Sequence, residues 1–486
     1  MTDSLTRAIN TTLMPGFDGP ELPDWVRGLL VDGLGSVCLF ASNIDDPSQL
    51  AELTAAIHSA NPEALIAVDE EGGDVSRLDH RHGSALPAAA WLGRRGSVDV
   101  TRAVGSSIGA ALRRADIDLN LAPVADVNTN PRNPVIGIRS FGSDPSAVAE
   151  HVAAYTLGLQ AHGVAACAKH FPGHGDTSSD SHRELPTIDV SPELLREREL
   201  IPFRAAVEAG TLAVMTSHIM VPRIDPSLPA TLSAPILALL RDELGFDGLI
   251  VSDAIDMAGA SAERGIPEAA VLALAAGVDL LCIGAGNTGE QMAEIAAQIA
   301  QAVHDGRLSE ARVREAAARV RRLSAQLATI RNRHLEPTAV ETIAIEPSAF
   351  WCRRPFDPPE RPLLLRLESP TNIAAGETVW GLGPELAAAV SERLPGAVFA
   401  TAADLDGVAE AVAAHAGRTV IAQGRDLARV RFLTEAIRWL RDHVADVLVI
   451  EEGWHDPDDP LADIATYGSG RGTMLSVLEL LAEGHQ

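Results

Sequence analysis

Residues 164–189 read VAACAKHFPGHGDTSSDSHRELPTID, an apolar run followed by a run dense in ionisable side chains. The first five residues favour a buried strand, whereas the remainder shows neither a helical nor an alternating apolar period. Burying so many charged groups inside a packed element would be costly. We therefore expect a strand that ends at Lys169 and His170 and a polar loop that begins there.

Three chemical interpretations are open for this loop. Asp180 and His182 could form a dyad in which the carboxylate orients the imidazole for proton transfer. Alternatively, His170, His174, Asp176 and His182 could bind a metal ion, although their spacing matches neither HExxH nor a common zinc pattern. The third interpretation is a polar surface loop without chemistry, which the density of histidine, carboxylate and glycine disfavours.

Short apolar runs recur through the first three hundred residues, and most precede a stretch with helical periodicity. This alternation predicts a parallel sheet covered by helices, and the length favours a TIM-type (β/α)8-like barrel over an open sheet. An eighth strand would come from the N-terminus or be irregular. The seven predicted strands are 36–40, 65–71, 119–127, 164–170, 212–218, 248–254 and 279–284.

Ionisable residues lie at the ends of five of these runs. They are Asp69 with Glu70 and Glu71, Asp126, Lys169 with His170, His218, and Asp253. Because the carboxyl ends of barrel strands open onto one mouth, we expect these side chains to share a site there. Between the strands, 146–162 and 291–330 are predicted to form amphipathic helices.

The composition predicts two domains joined by a linker. Residues 1–335 form the predicted catalytic barrel, and the proline-rich segment 336–362 is the predicted linker. Residues 363–486 form a smaller α/β sandwich domain in which we expect no comparable cluster of titratable residues. Its predicted strands are 363–367, 378–382, 397–400, 419–424 and 447–453.

Charge and cysteine content restrict the class of protein. The 486 residues carry a formal net charge of −27, which disfavours nucleic acid and anionic membrane as partners. The four cysteines are far apart and three lie in apolar runs, so free buried thiols are expected. No signal peptide is visible and the longest apolar run is too short to span a bilayer, so the cytoplasm is the expected location.

Several motifs together resemble glycoside hydrolase family 3, and within it the bacterial β-N-acetylglucosaminidases associated with cell-wall recycling. The most specific motif is KHFPGHGD…DSH, because the β-glucosidases of the family lack the DSH dyad. The other motifs are MPGFDG at 14–19, VDEEGGDVSRL at 68–78, DLNLAPVADVN at 118–128, VIGIRSFGSDP at 135–145 and VSDAIDM at 251–257.

The resemblance implies a role for each matching residue. Asp253 is the implied nucleophile, and His182, oriented by Asp180, is the implied general acid/base. No cofactor and no metal is implied. The implied sugar-binding residues are Asp69, Arg77, Arg139, Lys169 and His170. Elementary chemistry agrees, since a retaining glycosidase needs a carboxylate at the anomeric carbon and a second group that moves a proton.

The expected function is a retaining exo-β-N-acetylglucosaminidase that acts on a small carbohydrate from cell wall or chitin. A β-N-acetylglucosaminide phosphorylase is the first alternative, because a neutral imidazole does not repel phosphate as a carboxylate would. A metal-dependent barrel hydrolase and a non-catalytic sugar-binding protein are the others. The sequence does not indicate an oligomeric state.

Three further residues receive an interpretation from sequence. The family usually has a basic residue after EGG, whereas this chain has Asp74, which could alter what is accepted beside the sugar. His174 and Asp176 are expected to shape the loop rather than take part in chemistry.

Overall fold

The computed structural model describes residues 4–179, 185–331, 343–369, 374–376 and 378–485. The chain divides into two compact units. Unit 1 comprises Met1–Glu70, Val98–Pro134 and Gly142–Glu341, and unit 2 comprises Glu71–Ser97, Val135–Phe141 and Thr342–Gln486. Unit 2 therefore includes two short segments that precede residue 335 in the sequence.

Unit 1 is built on eight parallel strands, which confirms the predicted barrel. All seven predicted runs contain a strand, and the eighth strand, β1, comes from the N-terminus. The strands are β1 (Leu13–Met14), β2 (Ser36–Leu39), β3 (Leu65–Val68), β4 (Leu119–Asn120), β5 (Ala165–Phe171), β6 (Ala213–Thr216), β7 (Leu249–Val251) and β8 (Leu281–Cys282).

Hydrogen bonds and bridges join the strands into a ring. Strands β2 to β7 form one sheet in chain order, and β1 pairs with β8 in parallel. At one seam, Val251 forms a parallel bridge with Leu280. At the other, the Cys38 N–H donates to the Pro15 carbonyl at 3.0 Å. All strands run in the same direction, so their carboxyl ends open onto one rim.

The barrel interior is filled by apolar side chains from every strand. Cys38, Cys167 and Cys282 lie in this core as free, buried thiols, as predicted for three of the four cysteines. Val320 and Leu327 of the last helix of unit 1 pack against the same core. Cysteine here behaves as a small apolar residue.

Helices follow the strands of unit 1. The predicted helix at 146–162 is confirmed as α6, whose N-terminus is capped by Asp144. The predicted single helix at 291–330 is wrong, because the chain turns at Gly306, where φ is +72°, and forms two helices. The helices are α1 (Ser4–Thr11), α2 (Asp24–Val31), α3 (Pro47–Ala60), α5 (Val98–Arg114), α6 (Pro145–Gln160), α7 (Pro192–Leu194), α8 (Leu200–Glu208), α9 (Ala234–Ala238), α10 (Ala258–Ser261), α11 (Ile266–Ala276), α12 (Gly289–His304) and α13 (Glu310–Arg331).

Unit 2 contains a six-stranded sheet in the order β11-β10-β12-β13-β14-β9, in which only β9 is antiparallel to its neighbour. Four predicted runs are confirmed, but 378–382 is not a strand. The strands are β9 (Trp351–Cys352), β10 (Leu363–Leu367), β11 (Val398–Ala402), β12 (Val420–Gly424), β13 (Val447–Glu451) and β14 (Ile464–Ala465). The helices are α4 (Ala89–Arg95), α14 (Ala387–Arg393), α15 (Leu405–Ala414), α16 (Arg431–His443) and α17 (Arg471–Glu483).

Within the described ranges, no helix combines the length and the apolar character that crossing a bilayer requires.

Candidate active site

Asp69 and Lys169 form an ion pair at the rim of the barrel in unit 1. Asp69 directly follows β3. Lys169 lies in β5, which is separated from β3 by β4 in the sheet. The Lys169 ammonium donates to Asp69 Oδ1 at 2.6 Å, and the lysine side chain is only 2% exposed against 19% for the aspartate. Because an unpaired buried ammonium would be costly, Asp69 stabilises the charge of Lys169 in this position. The structure thus brings together two residues that sequence assigned to sugar binding.

Asp126 is a buried carboxylate that organises the end of β5. Its Oδ2 lies 2.7 Å from His170 Nδ1, and its Oδ1 accepts from the backbone N–H of His174 at 2.7 Å. The His170 N–H contributes a longer bond of 3.2 Å to the same oxygen. A carboxylate on Nδ1 holds the ring in one orientation and directs Nε2 outward. Sequence had marked Asp126 only as a strand end and had given it no role at the site.

Asp253 follows β7 after Ser252, and its side chain is half-buried. One carboxylate oxygen, Oδ1, accepts from the Ala254 N–H at 2.8 Å. The carbonyl of Ala254 contacts His218 Nε2 at 2.9 Å, so a second strand-end residue fixes the backbone beside Asp253. These contacts orient the Asp253 carboxylate at the end of β7.

Electrostatic effects on a core thiol show that several strand-end charges lie close together. Burial raises the pKa of the Cys167 thiol, and the charges of Lys169, Asp69 and Asp253 also act on that group. Coulomb interactions weaken with distance, so these three charged groups all lie within electrostatic range of the Cys167 thiol in β5. The shared site that sequence predicted from strand ends is consistent with this arrangement in unit 1.

His174 is a buried imidazole in the loop after β5. Burial lowers the pKa of His174 to about 4, while the charges of Asp126 and Asp253 oppose this shift. Its Nδ1 lies 2.8 Å from Thr177 Oγ1, whose hydroxyl also donates to the His174 carbonyl. The residue is therefore a neutral packing element of the loop, consistent with the shaping role expected for it.

The first part of the loop is held by two asparagines from the segment after β4. Asn133 Nδ2 donates to the His174 carbonyl at 2.8 Å, and Asn130 Nδ2 donates to the Thr177 carbonyl at 2.9 Å. We call residues 171–179 the loop base. The predicted dyad of Asp180 and His182 comes next in the chain, and both residues lie outside the part of the chain that the structure describes.

Glu199 is buried beneath the loop base and was not foreseen from sequence. Burial raises its pKa to about 7, partly offset by Arg198, whose guanidinium bonds both Glu199 and Asp176 at 2.6 Å. Gly173, with φ of +127°, passes so close that a Cβ there would lie 2.7 Å from Glu199 Oε2. Both the backbone angle and the lack of space therefore require glycine at this position.

Arg139 and Arg77 belong to unit 2 and bind groups of that unit. Arg139 forms a bidentate, almost fully buried pair with Glu71, with bonds of 2.9 and 2.7 Å. Arg77 donates from both terminal nitrogens to the carbonyls of Ala375 and Ala374, at 3.0 and 2.8 Å. Glu71 is recognisable in the sequence as a strand-end residue, but these pairings join residues far apart in the chain, and local sequence contains no signal for them.

Asp74 binds Ser469 within unit 2. Its Oδ1 accepts from the Ser469 N–H at 2.8 Å, and its Oδ2 accepts from the Ser469 hydroxyl at 2.5 Å. Helix α17 begins two residues later, after Gly470. The acidic residue in place of the usual basic one thus stabilises the approach to this helix.

The structure gives other partners to three of the four residues in the metal hypothesis. His170 Nδ1 faces Asp126, His174 Nδ1 faces Thr177, and Asp176 pairs with Arg198. No three His, Cys, Asp or Glu side chains among the described residues gather closely enough to hold a metal ion. His182, the fourth, lies outside these residues.

A closed parallel barrel with charged groups gathered at its strand ends is typical of (β/α)8-barrel enzymes. Residues 23–323 match the family model described as "Glycosyl hydrolase family 3 N terminal domain". The chain belongs to glycoside hydrolase family 3, which confirms the resemblance seen in the motifs. This match covers most of the predicted barrel segment.

Bacterial β-hexosaminidases are among its relatives. The chain is 34% identical over 348 residues to beta-hexosaminidase A of Pseudoalteromonas piscicida, covering 66% of this chain and 57% of that protein. It is 41% identical over 276 residues to a beta-hexosaminidase of Tolumonas auensis, covering 55% of this chain and 81% of that one. The chain thus spans little more than half the length of the first relative.

Solved structures resemble the whole chain. A family 3 beta-N-acetylglucosaminidase from Paenibacillus sp. str. FPU-7 superposes with a TM-score of 0.89 at 29% identity, covering 99% of this chain and 97% of that one. A beta-glucoside phosphorylase, BglX, superposes with a TM-score of 0.78 at 18% identity, which shows a likeness of fold alone. Both the barrel and the smaller α/β unit therefore have structural counterparts.

Proposed function

We propose that the protein is a retaining exo-β-N-acetylglucosaminidase that removes terminal β-linked N-acetylglucosamine from cell-wall or chitin-derived fragments. The observation that carries the proposal is the carboxylate of Asp253 at the end of β7, in the same charged environment as the Asp69–Lys169 pair. The whole-chain likeness to a family 3 beta-N-acetylglucosaminidase supports the substrate class.

In the first step of the proposed mechanism, an Asp253 oxygen attacks the anomeric carbon and forms a covalent glycosyl ester. The bond to the leaving oxygen breaks as that oxygen takes a proton from His182, which Asp180 orients. In the second step the neutral His182 removes a proton from water, the water oxygen attacks the anomeric carbon, and Asp253 leaves as a carboxylate. Two displacements at one carbon retain the β configuration.

The ion pair between Asp69 and Lys169 suits the recognition of sugar hydroxyls. A carboxylate accepts hydrogen bonds and an ammonium donates them, so the pair can contact neighbouring hydroxyls of one ring. Because Lys169 is almost fully buried, its position is fixed before the substrate arrives. His170, held by Asp126, would present its second ring nitrogen to the same sugar. Arg77 and Arg139 complete the proposed set of binding residues.

Replacement of Asp253 tests the nucleophile. Asp253→Asn keeps the shape of the side chain but removes its nucleophilic charge, so kcat on p-nitrophenyl β-N-acetylglucosaminide should fall by about a thousandfold or more. Asp247→Asn, at an exposed aspartate of unit 1, is the matched control and should keep the wild-type rate. Undiminished turnover by a folded Asp253→Asn protein would refute the assignment.

The small Asp253→Ala side chain adds a second measurement. Azide can enter the vacated space and attack the anomeric carbon from the nucleophile's side, so the product should be the α-glycosyl azide. Running the wild-type reaction in phosphate buffer separates hydrolysis from phosphorolysis, because a phosphorylase would release sugar 1-phosphate. Binding of the sugar without turnover by the wild-type protein would instead indicate a non-catalytic sugar-binding protein.

A further inference from the structure

A crevice in unit 2 lies at the carboxyl ends of its parallel strands. Strand β10 lies between β11 and β12, so the chain leaves β10 toward one side of the sheet and later returns on the other. Open α/β sheets bind ligands at such a reversal of strand order. Arg366 is the penultimate residue of β10, and Arg425 directly follows the last residue of β12. Two guanidinium groups thus mark the place where this topology predicts a ligand.

The crevice is a cavity of about 390 Å³ that is rich in cationic side chains. Its lining includes His80, Arg81, Arg366 and Arg425, which we call the cation crevice, together with Trp380 and Glu385. A volume of this size accommodates a molecule the size of a substituted monosaccharide. This concentration of positive charge is unexpected in a chain with a net charge of −27.

The Trp380 ring contacts the guanidinium groups of both Arg366 and Arg425. The Arg425 guanidinium carbon lies 4.2 Å from the centre of the Trp380 ring, and that of Arg366 lies 5.3 Å from it. Arg366 also bonds Glu368 at 3.2 Å. A guanidinium group that contacts an indole ring keeps its charge and its hydrogen-bond donors, so each of these arginines can bind an oxyanion.

Arg425 is the more informative of the two cations. It is only 8% exposed, yet no residue in the described part of the chain accepts a hydrogen bond from its guanidinium. The guanidinium is a planar group with five donors, which suit a ligand that supplies acceptors. The side chain lines the cavity, so such a ligand would reach it there.

Glu452 interacts electrostatically with Arg425 but makes no hydrogen bond to it. Glu452 is fully buried, and neither of its carboxyl oxygens has a hydrogen-bond partner among the residues described. Burial raises the pKa of Glu452 well above its usual range, with Arg425 opposing the shift. Its neighbour Glu451 differs, because it accepts three backbone N–H bonds. The guanidinium donors of Arg425 therefore remain available to an external anion.

A buried amide fixes the wall of the crevice. The Gln423 side chain accepts from the Leu382 N–H at 2.6 Å and donates to the Leu382 carbonyl at 2.9 Å. Gly381, between Trp380 and Leu382, has a φ of +70°, and a Cβ there would lie 2.9 Å from Gln423 Oε1. The Trp380 segment is therefore held in place over the sheet before any ligand binds.

We propose that the cation crevice is a binding site for a small sugar that carries a phosphate or a carboxylate group. The oxyanion would accept hydrogen bonds from Arg425 and Arg366, which match it in charge and geometry. Glu385 supplies an acceptor for a hydroxyl of the same molecule. Phosphate esters and sugar acids share this chemistry, and binding assays distinguish them.

Calorimetric titration of the full chain at constant ionic strength tests the proposal. We expect saturable binding of glucose 6-phosphate, of gluconate, or of both, and no binding of neutral glucose. Inorganic phosphate and acetate report on the oxyanion alone. Arg425→Gln and Arg366→Gln should each lower the affinity for the anion by about tenfold or more, the loss expected for one charged hydrogen bond.

Arg438→Gln, at an exposed arginine of α16, removes the same charge from unit 2 outside the crevice and should leave affinity unchanged. Equal weakening by Arg438→Gln would overturn the proposal, since it would indicate general electrostatic attraction. Absence of saturable binding to the folded wild-type chain would overturn it as well. If Arg425→Gln does not fold, the anion affinity of Arg366→Gln tests the proposal instead. Hydrolysis of the aryl glycoside is measured separately, without added anion. That assay tests the proposed glycosidase activity, and the titration tests the cation crevice, so a failure of one is distinguished from a failure of the other.

Discussion

His174 shows how one buried side chain couples the loop base to pH. In the folded protein burial lowers its pKa to about 4, whereas an exposed histidine titrates near 6.5. Between these values the unfolded chain binds more protons than the folded one, so the free energy of unfolding falls as pH falls from about 6.5 toward 4. The contribution of His174 between pH 7 and pH 5 is about 2 kcal/mol.

Urea unfolding of wild type and of His174→Gln at pH 7 and pH 5 measures this contribution. The variant has no ring to protonate, so its loss of stability between the two pH values should be smaller by about 2 kcal/mol. His304→Gln, at an exposed position near the end of α12, controls for the removal of a histidine. An unchanged pH dependence in His174→Gln would show that this imidazole is protonated in the folded protein.

At the residue scale, sequence could propose chemistry but not partners. The position of Asp69 and Lys169 at strand ends was enough to predict that they lie near each other, and they form a 2.6 Å pair. Asp126 was visible as a strand-end carboxylate, yet its bonds to His170 and His174 depend on the path of the loop. Local sequence contains no signal for such a path.

At the scale of elements, the loop base is clamped by the segment after β4. Asn133→Ala removes the bond to the His174 carbonyl and a longer one of 3.3 Å to Thr177. We expect amide hydrogen exchange in 171–179 to become about tenfold faster, the effect of losing one buried hydrogen bond, while the barrel strands keep their protection. If the loop base positions the proposed dyad, kcat should fall as well.

Asn61→Ala is the control for the Asn133 variant. Asn61 also donates one buried side-chain bond to a backbone carbonyl, that of Leu34 at 3.0 Å, but it precedes β3 and so lies at the amino end of the barrel. It should lower stability without changing exchange in 171–179 or kcat. Equal effects of the two variants on the loop base would contradict a local role for Asn133.

Whether a strand was predicted correctly from sequence has an identifiable physical reason. Seven barrel strands were recognisable because both faces of a parallel strand are buried and the apolar run is continuous, whereas β1 was not located in advance. The apolar run at 378–382 looks the same in sequence, but its backbone at Leu382 bonds the Gln423 side chain instead of a neighbouring strand. Strands β9 and β14 have two residues each and were not predicted from sequence.

At the scale of the whole molecule, the two units are not consecutive along the chain. Sequence composition places a boundary near 335, because a linear pattern assigns each residue to the surrounding domain. The segment Glu71–Ser97 nevertheless belongs to unit 2. Its Arg94 Nε donates to the Ala349 carbonyl at 2.9 Å, and its Asp74 binds Ser469. Such long-range partners leave no trace in local periodicity.

A fragment that ends at residue 341 should therefore be less stable than the full chain, and the loss of structure should lie in residues 71–97. It lacks the partners of Arg77, Asp74 and Arg94 in residues 342–486. Each lost bond is worth about 1 kcal/mol, so we expect the midpoint of thermal unfolding to fall by about 5 °C or more. Trypsin should cut this fragment within 71–97, at arginines that the full chain protects.

Within the full chain, Asp74→Ala removes only the contact with Ser469 and should lower the midpoint by a smaller amount. A fragment with the same midpoint and the same tryptic map as the full chain would show that 71–97 does not depend on residues 342–486.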